Sequence, residues 1–321
     1  MREITLSSLT ALGLAVAALA PGQSRAAQLR TLVTFCPEIN CADGSTPLAG
    51  LLADAAGNLI GTTFSGGASD DGTVFEITKT GRNRYSRTPT ILVSFDGSNG
   101  MYPYAGLIAD ANGNLFGTTS QAGAGAYGGG TVFEIAKTAG GYAATPTVLV
   151  NFNRTDTANP QAGLIADAAG NLFGTTNYGG RKVCRGGCGT VFEITRTGRN
   201  RYSRTPTILV SFDGSNGMYP QAGLIADAAG NLFGTTSLGG AYGAGTVFEI
   251  AKTAAGYASD PTVLFSFSNK FTSRHGNEPK AALIANAKGK LFGTTSLGGA
   301  SESGTVFEIG GSGFVPFAAP P

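Results

Sequence analysis

Apolar and polar positions repeat a single pattern along most of this chain, most legibly from Ala222 to Ile250. AGLIAD and LFGTT flank the turn AAGN, a glycine-rich stretch follows, and GTVFEI comes next. Leu224, Ile225 and Ala226 are all apolar, which implies burial on both faces of a strand. In GTVFEI, Phe248 and Ile250 share one face while Val247 and Glu249 share the other. A further apolar run, as in Thr207 to Phe212, completes the period, so each copy predicts four short strands. Gly230 can take positive φ in the turn and Asp227 can cap it. The equivalents of Asp227 are Asp54, Asp110, Asp167 and Asn286. Turn capping is a simpler reading of these side chains than a metal or acid site. Glu249 recurs as Glu76, Glu134, Glu193 and Glu308, and is expected to bond backbone or a nearby Lys79, Lys137, Arg196 or Lys252.

The tripeptide Gly-Thr-Thr begins at Gly61, Gly117, Gly174, Gly234 and Gly293, at spacings of 56, 57, 60 and 59 residues. Such a period marks a propeller or another repeat array. A lone strand-like segment, Thr31 to Phe35, precedes the first copy and matches Ile208 to Phe212, whereas no fourth run follows Ile309. The expected fold is therefore all-β: a five-bladed β-propeller of four-stranded blades, its ring closed by the N-terminal strand. The expected boundaries are 1–26 for a signal peptide, 27–310 for the propeller and 311–321 for a flexible C-terminal tail. Thr80 to Pro103 is identical to Thr197 to Pro220, which points to copying of a two-blade unit.

Composition sharpens this picture. Fifty glycines, 13% charged residues and no Trp fit short strands and tight turns. The start of the chain, with Arg2, an apolar stretch from Leu6 to Ala20 and small residues at Ser24 and Ala26, has the form of a secretory signal. Secretion, or a periplasmic or cell-surface location, is the expected localisation, with no membrane span in the mature chain. A net charge of +2 gives no reason to expect nucleic acid as a partner. Cys36 with Cys41 and Cys184 with Cys188 are expected to form two local disulfides, a reading preferred over a joint metal site. No metal and no cofactor is expected.

GLIADAAGNLFGTTSLGGAYGAGTVFEI, recurring five times, resembles the GloVer, or choice-of-anchor, tandem repeat of bacterial exported proteins. The resemblance implies an extracytoplasmic, propeller-like protein and transfers no catalytic residues.

Loops between the second and third strands, and between blades, gather on one face. The candidate ligand-binding residues lie there: Asp96, Asn99 and Tyr102, their copies Asp213, Asn216 and Tyr219, and Tyr127, Tyr178 and Tyr242. Aromatic rings for stacking and amides or carboxylates for hydroxyls suit a polysaccharide or another cell-surface polymer as partner. No catalytic residue is expected. Gly123 to Gly128 fits a dinucleotide fingerprint in spacing but precedes a strand, so it supplies no helix terminus for a pyrophosphate. The leading expectation is an exported, non-enzymatic interaction protein that binds carbohydrate through repeated loops. The alternatives are a polysaccharide-acting propeller hydrolase or lyase, and a structural module of the cell envelope.

Overall fold

The computed structural model describes residues 29–123, 128–153, 157–181, 183–269 and 275–317. Its regular structure is entirely β. The expected signal peptide and Tyr127 lie outside the described residues. Leu32–Pro321 form one compact unit, to which the following description applies.

Each copy of the repeat forms one antiparallel sheet. In the fourth copy the strands are Ile225–Ala226, Leu232–Thr236, Gly243–Ile250 and Thr262–Ser268, hydrogen-bonded in that order. The first three copies build the same four-stranded sheet, and the fifth has three strands: Ile284–Ala285, Leu291–Thr295 and Thr305–Ile309. The AGLIAD strand is shorter than its apolar run, with only two residues in the ladder.

Local chemistry explains the Gly-Thr-Thr signature. Gly234 stands opposite Phe248 in the ladder, and a Cβ there would meet that ring at 2.6 Å. The first threonine reaches across to the next copy: Thr62, Thr118, Thr175 and Thr235 donate to the carbonyls of Ala105, Ala162, Ala222 and Ala281 at 3.0, 3.1, 3.1 and 3.3 Å. The second threonine pairs within its own sheet, as between the hydroxyls of Thr236 and Thr246 at 2.8 Å. Asp227 caps its turn as expected, accepting from the amides of Ala229 and Asn231 at 2.9 and 2.8 Å.

Phenylalanines join successive sheets. The outer-strand Phe of one copy packs on the GTVFEI Phe of the next, in Phe95–Phe133, Phe152–Phe192, Phe212–Phe248 and Phe267–Phe307, each with ring centroids 5.1 Å apart. Phe35 makes the same contact with Phe75 at 4.8 Å. Buried aromatic pairs of this kind add roughly 0.5–1.5 kcal/mol each beyond their area.

The expected pairing of the N-terminal strand with the fifth sheet is not seen among the described residues. Leu32–Phe35 form no strand, and no described segment pairs with the outer edge of Thr305–Ile309. Phe35 nevertheless makes on Phe75 the contact that the outer-strand Phe makes at the other junctions, while the fifth sheet is open. Val306 is accordingly 79% exposed while its counterparts Val74, Val132, Val191 and Val247 are fully buried.

The segment expected as a loose tail is also tied down. The Val315 amide donates to Asp227, the Ala228 amide donates to the Val315 carbonyl, and Phe314 lies 5.1 Å from Phe233. Phe314 thus fills, for the fourth and fifth copies, the place that Tyr202 fills against Phe116 and Tyr257 fills against Phe173.

Candidate functional site

A residue followed by proline leads into every sheet: Thr46, Tyr102, Asn159, Tyr219 and Glu278. Side chains ordinarily avoid positive φ, and residues before proline favour extended conformations. All five nevertheless have φ between 54° and 60°. Their carbonyls accept from the amides that follow Gly-Thr-Thr, those of Phe64, Ser120, Asn177, Ser237 and Ser296, at 3.0–3.1 Å. A strained turn repeated five times belongs to the scaffold. Its side chains, displayed on the loop face, are free to differ.

At the first junction between copies, Phe64 stacks on Tyr102 with ring centroids 4.8 Å apart and planes 16° from parallel. At the second, Ser120 stands where Phe64 did and Gly129 where Asp71 did. The smaller side chains leave a cleft of about 580 Å³ lined by Ser120, Gln121, Asn159, Tyr178, Arg185 and Tyr219, with Gly128, Gly129, Ala158 and Gly186 as its floor and walls.

Each lining group is positioned by backbone structure. Tyr178 sits on a short strand, Tyr178–Gly179, paired with Thr157–Ala158. Its ring meets Tyr219 edge-on at 5.5 Å. Asn159 donates through Nδ2 to the Ser120 carbonyl at 3.0 Å, and its buried Oδ1 has no hydrogen-bond partner. Arg185 lies inside the loop closed by Cys184–Cys188, one of the two expected disulfides, both of which form. That loop is further held by the Gly179 amide on the Gly186 carbonyl at 2.8 Å and the Gly187 amide on the Cys184 carbonyl at 2.9 Å. Arg181 pairs with Asp213 at 3.4 Å, whereas no described carboxylate comes within ion-pair distance of Arg185.

The structure separates the residues expected to act together. Asp96 shapes its own loop, accepting from the Ser98 amide and hydroxyl at 3.0 and 2.7 Å, and Asp213 does the same with Ser215. These hydrogen bonds, that of the serine side chain foremost, hold both carboxyls below the usual range. Asn99 and Asn216 return the contact by accepting from the amides of Asp96 and Asp213. Tyr242 is exposed and lies outside the cleft lining. Tyr178 and Tyr219 do line it, whereas Tyr102 is spent on Phe64. The two identical DGSNGMYP loops are therefore not two equivalent sites, because the preceding copy gives each tyrosine a different neighbour. Sequence reasoning missed Ser120, Gln121, Asn159 and Arg185. For Asn159 the position before each proline, compared across the five copies, was the available signal.

The opposite face carries repeated seams. One cleft of about 490 Å³ lies between the turns of Asp54 and Asp110 beside Lys137 and Tyr142, and one of about 500 Å³ lies between those of Asp167 and Asp227 beside Lys252 and Tyr257. Lys137 and Lys252 sit 3.6 and 4.0 Å over the rings of Tyr142 and Tyr257. Burial pushes the Tyr257 phenol up to about 12. Because this arrangement recurs, it reads as packing between copies.

The profile of the Gloeobacter/Verrucomicrobia repeat matches residues 23–202 and 184–315. The chain belongs to this repeat family. No match was found among curated proteins. Among solved structures, a luciferin-regenerating enzyme is 16% identical and aligns over 85% of this chain and 81% of its own, with a TM-score of 0.53. An alpha-L-arabinanase of Penicillium chrysogenum, complexed with arabinobiose, is 12% identical over 83% of this chain and 81% of its own, TM-score 0.45. The catalytic domain of an alpha-L-arabinofuranosidase from Coprinopsis cinerea is 11% identical over 86% and 93%, TM-score 0.39. At these identities the likeness is one of fold, and it is propeller-like. The neighbours are enzymes, which conflicts with the expected non-enzymatic interaction role, and that expectation is withdrawn.

Proposed function

We propose that this member of the repeat family is an exported enzyme that cleaves polysaccharide, with the cleft between the second and third copies as its active site. The observation that carries this reading is the cleft itself: Ser120 and Gly129 leave a space that Phe64 and Asp71 fill one copy earlier, and the longer loop of the third copy brings Tyr178 and Arg185 to its rim. Two phenol rings suit stacking on a sugar, and the exposed amide of Gln121 suits its hydroxyls. Export agrees with two disulfides, and among the described residues no helix is long and apolar enough to cross a membrane. We further infer that the array closes into a five-bladed propeller when the strand ending at Phe35 pairs with Thr305–Ile309. By the symmetry of the other junctions, closure brings Thr294 to the carbonyl of Ala49 and Tyr85 onto Phe292.

The test uses the full chain and a panel of neutral and acidic polysaccharides, with new reducing ends as the readout. The parent is expected to cleave at least one polymer, and Ser120→Phe, which puts the phenylalanine of the first junction into the second, is expected to cleave none while remaining folded, with a melting temperature lowered by loss of the bond from the Ser120 hydroxyl to the Tyr102 carbonyl. Absence of cleavage across the panel, or a fully active Ser120→Phe, overturns the proposal.

A further inference from the structure

Resting on that reading, we infer that the substrate is a uronate-containing polysaccharide cut by β-elimination, with Arg185 holding the uronate carboxylate. Three features of the cleft point to this chemistry. The first is its charge. Hydrolysis by paired carboxyl groups requires two of them facing each other across the sugar, roughly 5 to 9.5 Å apart. Among the described residues no Asp or Glu lines this cleft, and an arginine does.

The second feature is that the Arg185 guanidinium is left for a ligand. It is exposed, and no described carboxylate is within ion-pair distance, although Arg181 of the same loop is taken by Asp213. A guanidinium offers a planar fork that matches a carboxylate. The Cys184–Cys188 bond and the two backbone hydrogen bonds of the loop hold its main chain in place beforehand, so little ordering is needed on binding. A neutral sugar makes no use of such a charge.

The third feature is the pair of phenols. Tyr178 and Tyr219 are the lining groups able to accept and donate a proton as acid and base, and their rings lie 5.5 Å apart. In the elimination, one of them, ionised, takes the proton from C5 of the uronate. That proton is acidic because the adjacent carboxylate is neutralised by Arg185 and can accept the developing charge. The C5–H electron pair becomes the C4=C5 double bond, and the C4–O4 bond breaks. Its electron pair leaves on O4, which takes a proton from the other phenol. Exchange of one proton with solvent restores the pair, and no water or other co-reactant is consumed. The products are an unsaturated uronate and a new reducing end.

The deciding experiment incubates the full chain with polygalacturonate, alginate and, as neutral control, arabinan, following both reducing ends and the ultraviolet absorbance of the conjugated double bond. A uronate polymer is expected to yield both signals in equal amounts. Arg185→Gln should raise KM and lower kcat, and Tyr178→Phe and Tyr219→Phe should lower kcat by about a hundredfold or more with KM little changed. All three keep the Cys184–Cys188 bond and the parental melting temperature. Reducing ends without the absorbance, cleavage of arabinan alone, or full activity in Arg185→Gln overturns this inference while leaving the polysaccharide-cleaving enzyme standing. No cleavage of any polymer overturns both.

Discussion

The first and second junctions between copies share a scaffold and differ in what they display. In both, a buried threonine reaches the next copy's carbonyl, at 3.0 Å from Thr62 and 3.1 Å from Thr118. Both have the same 5.1 Å phenylalanine contact, Phe95–Phe133 and Phe152–Phe192, and both turn through a residue near φ 60°, Tyr102 and Asn159. At the rim they part: Phe64 on Tyr102 seals one, and Ser120 beside Asn159 opens the other. The contacts inside the seam carry the fold, which leaves the rim free to carry chemistry.

Transplanting rims breaks this comparison most sharply. Ser120→Phe should close the second junction and lower polysaccharide cleavage by about a hundredfold or more, as expected when a substrate loses its position. The reciprocal change, Phe64→Ser, should open the first junction and cost about 1–2 kcal/mol in urea unfolding, less than a fully buried Phe because Phe64 is half-buried. It should add no activity, since the first junction has no counterpart of Arg185. A Phe64→Ser variant with raised activity would show that space alone, and no particular residue, decides function.

Changing the shared scaffold instead should affect both junctions alike. Thr62→Val and Thr118→Val each leave a carbonyl without its bond and should each cost about 1 kcal/mol. Thr294→Val supplies the control, because Thr294 is exposed in the open fifth copy. A cost at Thr294 equal to that at Thr62 and Thr118 would show that the ring is closed in solution. No cost there would show the array to be open.

The same division explains what could be read from the chain. Strand order, the Asp227 turn and the two disulfides follow from neighbours a few residues apart, so periodicity and spacing reveal them. Tyr102 and Tyr219 sit in identical local sequence, yet their surroundings come from Phe64 and Tyr178, each in the preceding copy. The role of Phe314 was hidden for a related reason: the run after Ile309 lacks the tyrosine of the other copies, yet a phenylalanine reaches the same place on Phe233. The closing strand was read from a match in sequence: Phe35 takes the place on Phe75 that the match implies, and the pairing with Thr305–Ile309 is not formed. Arg185 gave no signal because its loop occurs only in the third copy.

The smallest expected effect concerns the opposite edge of the second seam and depends on pH. Glu134 is 7% exposed, and its carboxyl is raised above the ordinary 4.5, first by burial, then by the charge of Asp110, with Arg196 of the third copy pulling the other way. A carboxyl raised in the folded state keeps its proton longer than it does in the unfolded chain. Its favourable contribution is therefore complete below the unfolded value and is lost as pH rises through the folded one. Glu134→Gln removes the charge at every pH. It should make the protein more stable than the parent near neutral pH, and the difference should shrink as pH falls toward about 4, where the parental Glu134 is itself protonated. Thermal melts of both proteins across that range provide the measurement. A Glu134→Gln variant less stable than the parent at neutral pH would show that Arg196 outweighs burial, and that the second seam is held by an ion pair as well as by its threonine and phenylalanines.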